Sequence, residues 1–217
     1  VAELILVRHG QANTGAMTEA DYDRLSDLGK EQARWLGDYM RQTNGHFDHV
    51  YCGTLRRHRE TAEAMGFDNG LQQDTRLNEM EYFSLAEAFK TKFDVPLPKG
   101  PEDFAHHLPR VLSAWQDDAL DDIPERFSDF DARVDAVLSE IAAPGGRSLI
   151  VTSGGVISMV LRRLLSLQLD AHANMLLQTM NSSCHRIEAL SGRFVLAQFN
   201  GIPHLEHPSR AHARTFV

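Results

Sequence analysis

Two runs of branched apolar residues, Leu4-Ile5-Leu6-Val7 near the start and Leu149-Ile150-Val151 far along the chain, each break off into a small polar turn. Arg8-His9-Gly10 ends the first, and Thr152 followed by Ser153-Gly154-Gly155 ends the second. A continuous apolar run of this length, without polar alternation, reads as a strand buried on both faces, which requires helices above and below a parallel or mixed sheet. The residues between supply those helices. Ser26 is a good N-cap for a helix carrying Leu28, Trp35, Leu36, Tyr39 and Met40. Phe127, Phe130, Val134, Val137, Leu138 and Ile141 mark a second amphipathic helix, which Pro144-Gly145-Gly146 ends. A further strand is expected at His49-Val50-Tyr51-Cys52. Thr54 is placed to cap the next helix, with Leu55, Ala62 and Met65 inward, Arg56 and Arg57 in the first turn and a stop at Gly66. Another helix is expected from Val156 to about Leu167, and a hairpin of Cys184 to Leu190 with Phe194 to Phe199 finishes the sheet.

With 217 residues to bury one sizeable core and no internal repeat, the expected architecture is one α/β domain over 1–217. It is a three-layer α/β/α sandwich on a mostly parallel mixed sheet. The stretch of about 83–123, interrupted by Pro96, Pro98, Pro101 and Pro109, reads as a helical insertion that forms a lid. The segment from Pro203 is polar and His-rich, and its sequence assigns it no element.

Charge narrows the partners. Twenty-two Lys and Arg against thirty Asp and Glu leave a net charge of −8, which disfavours nucleic acid and anionic membranes as partners. An anion must therefore meet a local basic pocket. Only Cys52 and Cys184 are present, far apart, so neither a disulfide framework nor a thiolate metal site is expected. The apolar stretch from Val156 is broken by Arg162 and Arg163, short of a membrane span. The chain opens on a strand-like run rather than a basic and apolar leader. Together these features lead us to expect a cytoplasmic protein.

The basic pocket is expected where strand ends converge, since ligands of open α/β sheets sit outside the carboxyl ends of the strands. Arg8-His9-Gly10, the Arg56-Arg57 turn and Ser153-Gly154-Gly155 meet that description. Arg57 is the favoured ligand of its pair and Arg56 the surface member. The backbone N–H groups after Ser153 can face an anion. Glu79 is the candidate carboxylate and Glu81 its competitor. His106, His107, His204, His207 and His212 have no tight ligand spacing and are expected on solvated surface, with no metal site; Cys52 is expected to be a small buried hydrophobe.

These residues resemble the histidine phosphatase superfamily, the phosphoglycerate-mutase-like group. The matching motifs are Leu-Val-Arg-His-Gly at 6 to 10, Leu25-Ser26 with Gly29, Gln32 and Ala33, and Leu55-x-Arg57 with Thr61-Ala62. Leu77-Asn78-Glu79 and Gly154-Gly155-Val156-Ile157 complete the set, in family order. The resemblance implies a phosphomonoester hydrolase acting on a small phosphorylated substrate with no cofactor. In it His9 is the nucleophile that becomes phosphohistidine, Arg8 and Arg57 hold phosphoryl oxygens, and Glu79 protonates the leaving oxygen. Ser153 and Gly154 contribute to the phosphate site. The chain departs from the family at Ser153, where a second histidine is usual, at Gly53, where many members carry serine, and at Gly15, where mutase-type members carry asparagine. A phospho-ligand binding module without turnover and a phosphoglycerate-mutase-type phosphotransferase are the alternative readings.

Overall fold

The computed structural model describes residues 1–43 and 45–216. Six strands form one sheet in the order β3-β2-β4-β1-β5-β6. They are β1 (Ala2–Arg8), β2 (His49–Cys52), β3 (Gln72–Gln73), β4 (Gly146–Thr152), β5 (Cys184–Leu190) and β6 (Arg193–Gly201). β1 lies parallel to β4, β4 to β2 and β2 to β3, whereas β5 runs antiparallel to β1 and pairs with β6 as a hairpin. The sheet is thus mixed and mostly parallel, with helices on both faces.

The eight helices are α1 (Glu19–Tyr22), α2 (Asp27–Thr43), α3 (Arg56–Met65), α4 (Tyr82–Phe93), α5 (Pro101–Gln116), α6 (Phe127–Ala142), α7 (Gly154–Leu165) and α8 (Leu169–Gln178), counted over the described residues. Alternation along β1 sorts its side chains between two layers. Ile5 and Val7 pack with Ala33, Leu36 and Met40 of α2 and with Ala62 and Met65 of α3. Leu4 and Leu6 enter the opposite cluster, which holds Trp115, Phe130, Val134 and Val160 from α5, α6 and α7. Cys52 is fully buried in the first cluster, as a small hydrophobe.

Three local expectations change. Thr54 does not cap α3; its hydroxyl accepts a hydrogen bond from Asn78 Nδ2 at 2.8 Å. The free N–H groups of α3 go instead to Asp23, whose carboxylate accepts from Arg56 N at 2.9 Å and Arg57 N at 3.1 Å. α7 begins two residues earlier than its apolar pattern, because Gly154 and Gly155 already form its first turn. The His-rich segment is only partly surface. Pro203–Leu205 forms a short 3₁₀ turn in which His204 is buried and pairs with Ser182 Oγ at 2.8 Å, while His207 and His212 stay exposed. His107 is likewise buried, paired with the Tyr82 hydroxyl at 2.9 Å, while its neighbour His106 is exposed. Two-residue β3, α8 and the four-residue α1 carry too little periodicity to be read from sequence. Among the described residues, no helix is long and apolar enough to cross a membrane, and no cluster of three or more His, Cys, Asp or Glu could hold a metal ion.

Candidate active site

Because β1, β2 and β4 are parallel, their carboxyl ends open on one edge of the sheet. In the β1–β4 register Arg8 lies opposite Thr152, and His9 N donates to the Thr152 carbonyl at 2.9 Å, so His9 and Ser153 leave the sheet side by side. The backbone at His9 is clamped from the other side: Ser182 N reaches the carbonyls of Arg8 and His9 at 3.1 and 3.2 Å, and Arg8 N donates to Ser183 O at 3.1 Å. Gly10 and Gly29 let this turn settle onto the start of α2. A Cβ on Gly10 would stand 2.3 Å from the Gly29 carbonyl oxygen, and one on Gly29 would stand 2.1 Å from that of Gln11. Gln32 Oε1 accepts from Gln11 N at 2.8 Å, and Thr61 Oγ1 accepts from Gly10 N at 3.1 Å. Four motif residues thereby act on the backbone around the histidine rather than on a ligand.

His9 is almost completely buried. Its Nδ1 donates to the Gly10 carbonyl at 2.7 Å, which assigns the proton to Nδ1 and leaves Nε2 with a lone pair. Burial, reinforced by the charges of Arg57 and Arg8, holds this imidazole well below its usual value, so it is neutral at pH 7. Arg8 hydrogen-bonds the Thr179 carbonyl through Nη1, while its Nε has no partner among the described residues. Burial pushes its guanidinium below the ordinary value, against the opposing influence of Tyr22 and Glu79.

Arg57, from the first turn of α3, is fully buried, whereas Arg56 is exposed. Arg57 Nη1 donates to Asp23 Oδ1 at 3.1 Å and Nη2 to Glu19 Oε1 at 3.2 Å, its Nε has no partner among the described residues, and its Cζ lies 5.0 Å from the Tyr22 ring centroid. Burial raises the Glu19 carboxyl above its ordinary range, with Arg57 pulling the other way. Both carboxylates come from the polar stretch between β1 and α2, in which no element was expected.

Glu79 is held by backbone. Its Oε2 accepts from Gly155 N at 3.0 Å and its Oε1 from Met80 N at 3.1 Å. The helix start at Gly154-Gly155 thus meets a protein carboxylate, and a Cβ on Gly154 would contact Arg8 Nε at 3.5 Å. Glu81 is exposed and bonds Ser84 on its own helix. Arg8, Arg57 and Glu79 line one cavity of about 360 Å³, whose far wall is built by Tyr82 and Phe83 of α4 and Phe104 of α5.

The structure therefore brings Arg8, His9, Arg57, Ser153 and Gly154 to one sheet edge, with Glu79 across the Gly155 amide. Ser153 is fully buried, and its Oγ lies 2.5 Å from Nε2 of His58. His58 was not singled out by sequence reading, nor was the buried polar turn at Asn181, Ser182 and Ser183. His58 follows two arginines in a helix whose mean hydropathy is low, so only its place in the turn after Arg57 could have marked it as inward-facing.

A family model described as histidine phosphatase superfamily (branch 1) matches residues 4–201. A search of curated proteins finds no significant sequence match. Among solved structures, a phosphoserine phosphatase from Entamoeba histolytica, in complex with phosphoserine, is similar with a TM-score of 0.70 at 20% identity, covering 94% of this chain and 100% of that one. A phosphoglycerate mutase from Bacillus anthracis gives 0.66 at 20% identity, covering 94% of each chain. A mycobacterial glucosyl-3-phosphoglycerate phosphatase gives 0.64 at 25% identity, covering 93% of this chain and 100% of that one. The architecture is that of a phosphoglycerate-mutase-like α/β protein. The chain belongs to the histidine phosphatase superfamily, and at family level that membership supports phosphatase activity.

Proposed function

We propose that this chain is a phosphomonoester hydrolase that works through a phosphohistidine on His9. The observation that carries the reading is the tautomer of His9: with Nδ1 bound to the Gly10 carbonyl, the lone pair sits on Nε2 of an imidazole kept neutral beside two guanidinium groups. In the first step Nε2 attacks phosphorus and the P–O bond to the leaving alcohol breaks, its oxygen taking a proton from the Glu79 carboxyl. In the second step Glu79 removes a proton from water, which attacks phosphorus; the P–N bond breaks, and phosphate and neutral His9 are regenerated. Arg8 and Arg57 bind the phosphoryl oxygens, and guanidinium suits this role because it stays charged and offers paired donors. They supply the positive charge, so the reading calls for no metal. Ser153 and the Gly154 backbone complete the anion site.

The apolar wall from Tyr82, Phe83 and Phe104 favours a small phosphomonoester with an aromatic or aliphatic body, and we read α4 and α5 as a lid on the domain. Two unbridged cysteines, one buried, support a cytoplasmic setting. A phospho-ligand binding module is the second reading, favoured by one observation: Ser153 stands where a second histidine is usual, and its buried hydroxyl, 2.5 Å from His58 Nε2, brings no positive charge to the phosphate. Hydrolysis of para-nitrophenyl phosphate, with labelled phosphate trapped as an acid-labile, alkali-stable adduct, separates the two. His9→Ala should remove the adduct and lower turnover by about 10⁴-fold or more. Saturable phosphate binding without adduct or hydrolysis, across a panel of phosphomonoesters, would select the binding module.

A further inference from the structure

His58 and Ser153 are two fully buried polar residues from different parts of the chain, and they meet each other. Ser153 stands at the N-terminal end of α7, yet its hydroxyl caps nothing in that helix. It meets His58 Nε2 at 2.5 Å instead. His58 comes from the first turn of α3, and its ring centroid lies 5.7 Å from that of His9, the planes tilted by 34°. The space for it exists because residue 53 is glycine: a Cβ there would stand 2.2 Å from His58 Nδ1.

The direction of the hydrogen bond follows from the other ring nitrogen. His58 Nδ1 is buried and has no partner among the described residues. A proton there would be an orphaned buried donor, the rarer and costlier arrangement, whereas a bare lone pair facing Gly53 leaves no donor unsatisfied. The proton therefore belongs on Nε2, and burial together with the Arg57 charge keeps the ring from taking a second one. His58 Nε2–H donates to the Ser153 oxygen. With that lone pair occupied, the Ser153 hydroxyl proton must point elsewhere, and the structure offers it no protein acceptor among the described residues.

We infer that His58 is a positioning residue for phosphoryl transfer: by donating to the Ser153 oxygen it commits the Ser153 O–H to a phosphoryl oxygen beside His9. The inference rests on the phosphohistidine reading. An imidazole delivered from α3 thus acts through a serine on α7, and neither residue is sufficient alone.

A double-mutant cycle tests it, with kcat and KM measured for each variant and folding checked by thermal unfolding. Ser153→Ala should lower kcat by about 100-fold, the scale of one lost oxyanion donor, with KM within about threefold of wild type. His58→Ala should lower kcat by roughly 30-fold, and the double variant should be no worse than Ser153→Ala within about twofold, because the residues act as one unit. Multiplying losses, or a folded His58→Ala variant with wild-type kcat in an active enzyme, would overturn the inference and leave the phosphohistidine reading standing. Absence of both adduct and hydrolysis in the wild type would overturn both. Should His58→Ala fail to fold, ¹⁵N NMR of the wild-type histidines at pH 7 decides: an Nε2–H tautomer at His58 is expected, and an Nδ1–H tautomer refutes the inference.

Discussion

The sheet edge that carries His9 and the aromatic wall that faces it are built in opposite ways. At the edge, side chains are buried, polar and tied to backbone: His9 to Gly10, Glu79 to Gly155 and Met80, Arg8 to Thr179. Across the cavity, Tyr82 and Phe104 meet edge to face at 5.1 Å, Tyr82 and Phe83 at 6.0 Å, and few polar groups fix their orientation. Hydrogen bonds with narrow geometry set the position of reacting atoms, whereas ring contacts set shape and tolerate adjustment. The comparison teaches that chemistry and selectivity in this protein rest on different interactions, and these respond to different perturbations.

Acid should separate the two regions most strongly. The edge is buttressed by buried neutral histidines paired with serines: His172 with Ser158, His185 with Ser183 and His204 with Ser182. Burial lowers their pKa values to about 4 for His172, about 3 for His185 and about 3 for His204, against an ordinary value of 6.5. Since the folded values are depressed, the unfolded chain binds more protons below pH 6.5, and stability present above that pH is lost as pH falls toward the folded values. Each histidine then costs about 1.4 kcal/mol per pH unit, or about 2 kcal/mol each between pH 6.5 and 5. Three together rival a typical domain stability of about 5–15 kcal/mol. Urea unfolding at pH 7 and pH 5 should show a midpoint falling steeply, with amide exchange in 179–185 accelerating before that in 82–93. An unchanged midpoint would mean that these serine–histidine pairs do not hold the edge together.

The same division decides what was legible before the fold was known. Leu4–Val7 and Leu149–Val151 announce themselves as buried strands because nothing polar interrupts them, and parallel strands place their polar ends together by geometry. That is why Arg8, His9, Arg57 and Ser153 could be assembled from the chain alone. The hydrogen-bond partners could not. His58 and Ser153 lie far apart in sequence and carry no spacing rule, and Asp23 caps α3 from a polar loop, a role that Thr54 fitted equally well by type. His107 and His204 look solvated in a polar context, yet each finds a hydroxyl partner that makes burial tolerable. The proline-interrupted stretch of about 83–123 reads as a helical insertion, but nothing in its spacing says which rings turn toward the cavity.

A substitution in the wall should sharpen the contrast through binding alone. Phe104→Ala removes an edge-to-face contact with Tyr82 and opens the cavity, a loss of about 0.5–1.5 kcal/mol in ring contact. We expect KM for para-nitrophenyl phosphate to rise up to about tenfold, with kcat within about twofold, while KM for glycerol phosphate changes by less than about twofold. Steady-state kinetics on the two esters measures this. Equal losses on both would show that Phe104 supports the phosphate end rather than the ester body.

The smallest effect is expected beside Arg57, in the polar stretch before α2. Glu19 is about one-third exposed, and its Oε1 accepts from Arg57 Nη2, a group the proposed mechanism assigns to phosphate. Two of the five guanidinium N–H groups serve Asp23 and Glu19, so an arriving phosphoryl oxygen can take the others, but it must do so beside the Glu19 charge, whose ion pair contributes about 0.2–1 kcal/mol. Glu19→Gln keeps the shape and removes the charge, so inhibition by inorganic phosphate should tighten by about threefold and KM should fall by a similar factor. Asp23 would still hold Nη1 and the start of α3, which keeps the guanidinium in place. Weaker phosphate binding in Glu19→Gln would carry the opposite lesson: the loop carboxylate orients Arg57 rather than competing for it, and the polar stretch before α2 then belongs functionally to the catalytic edge.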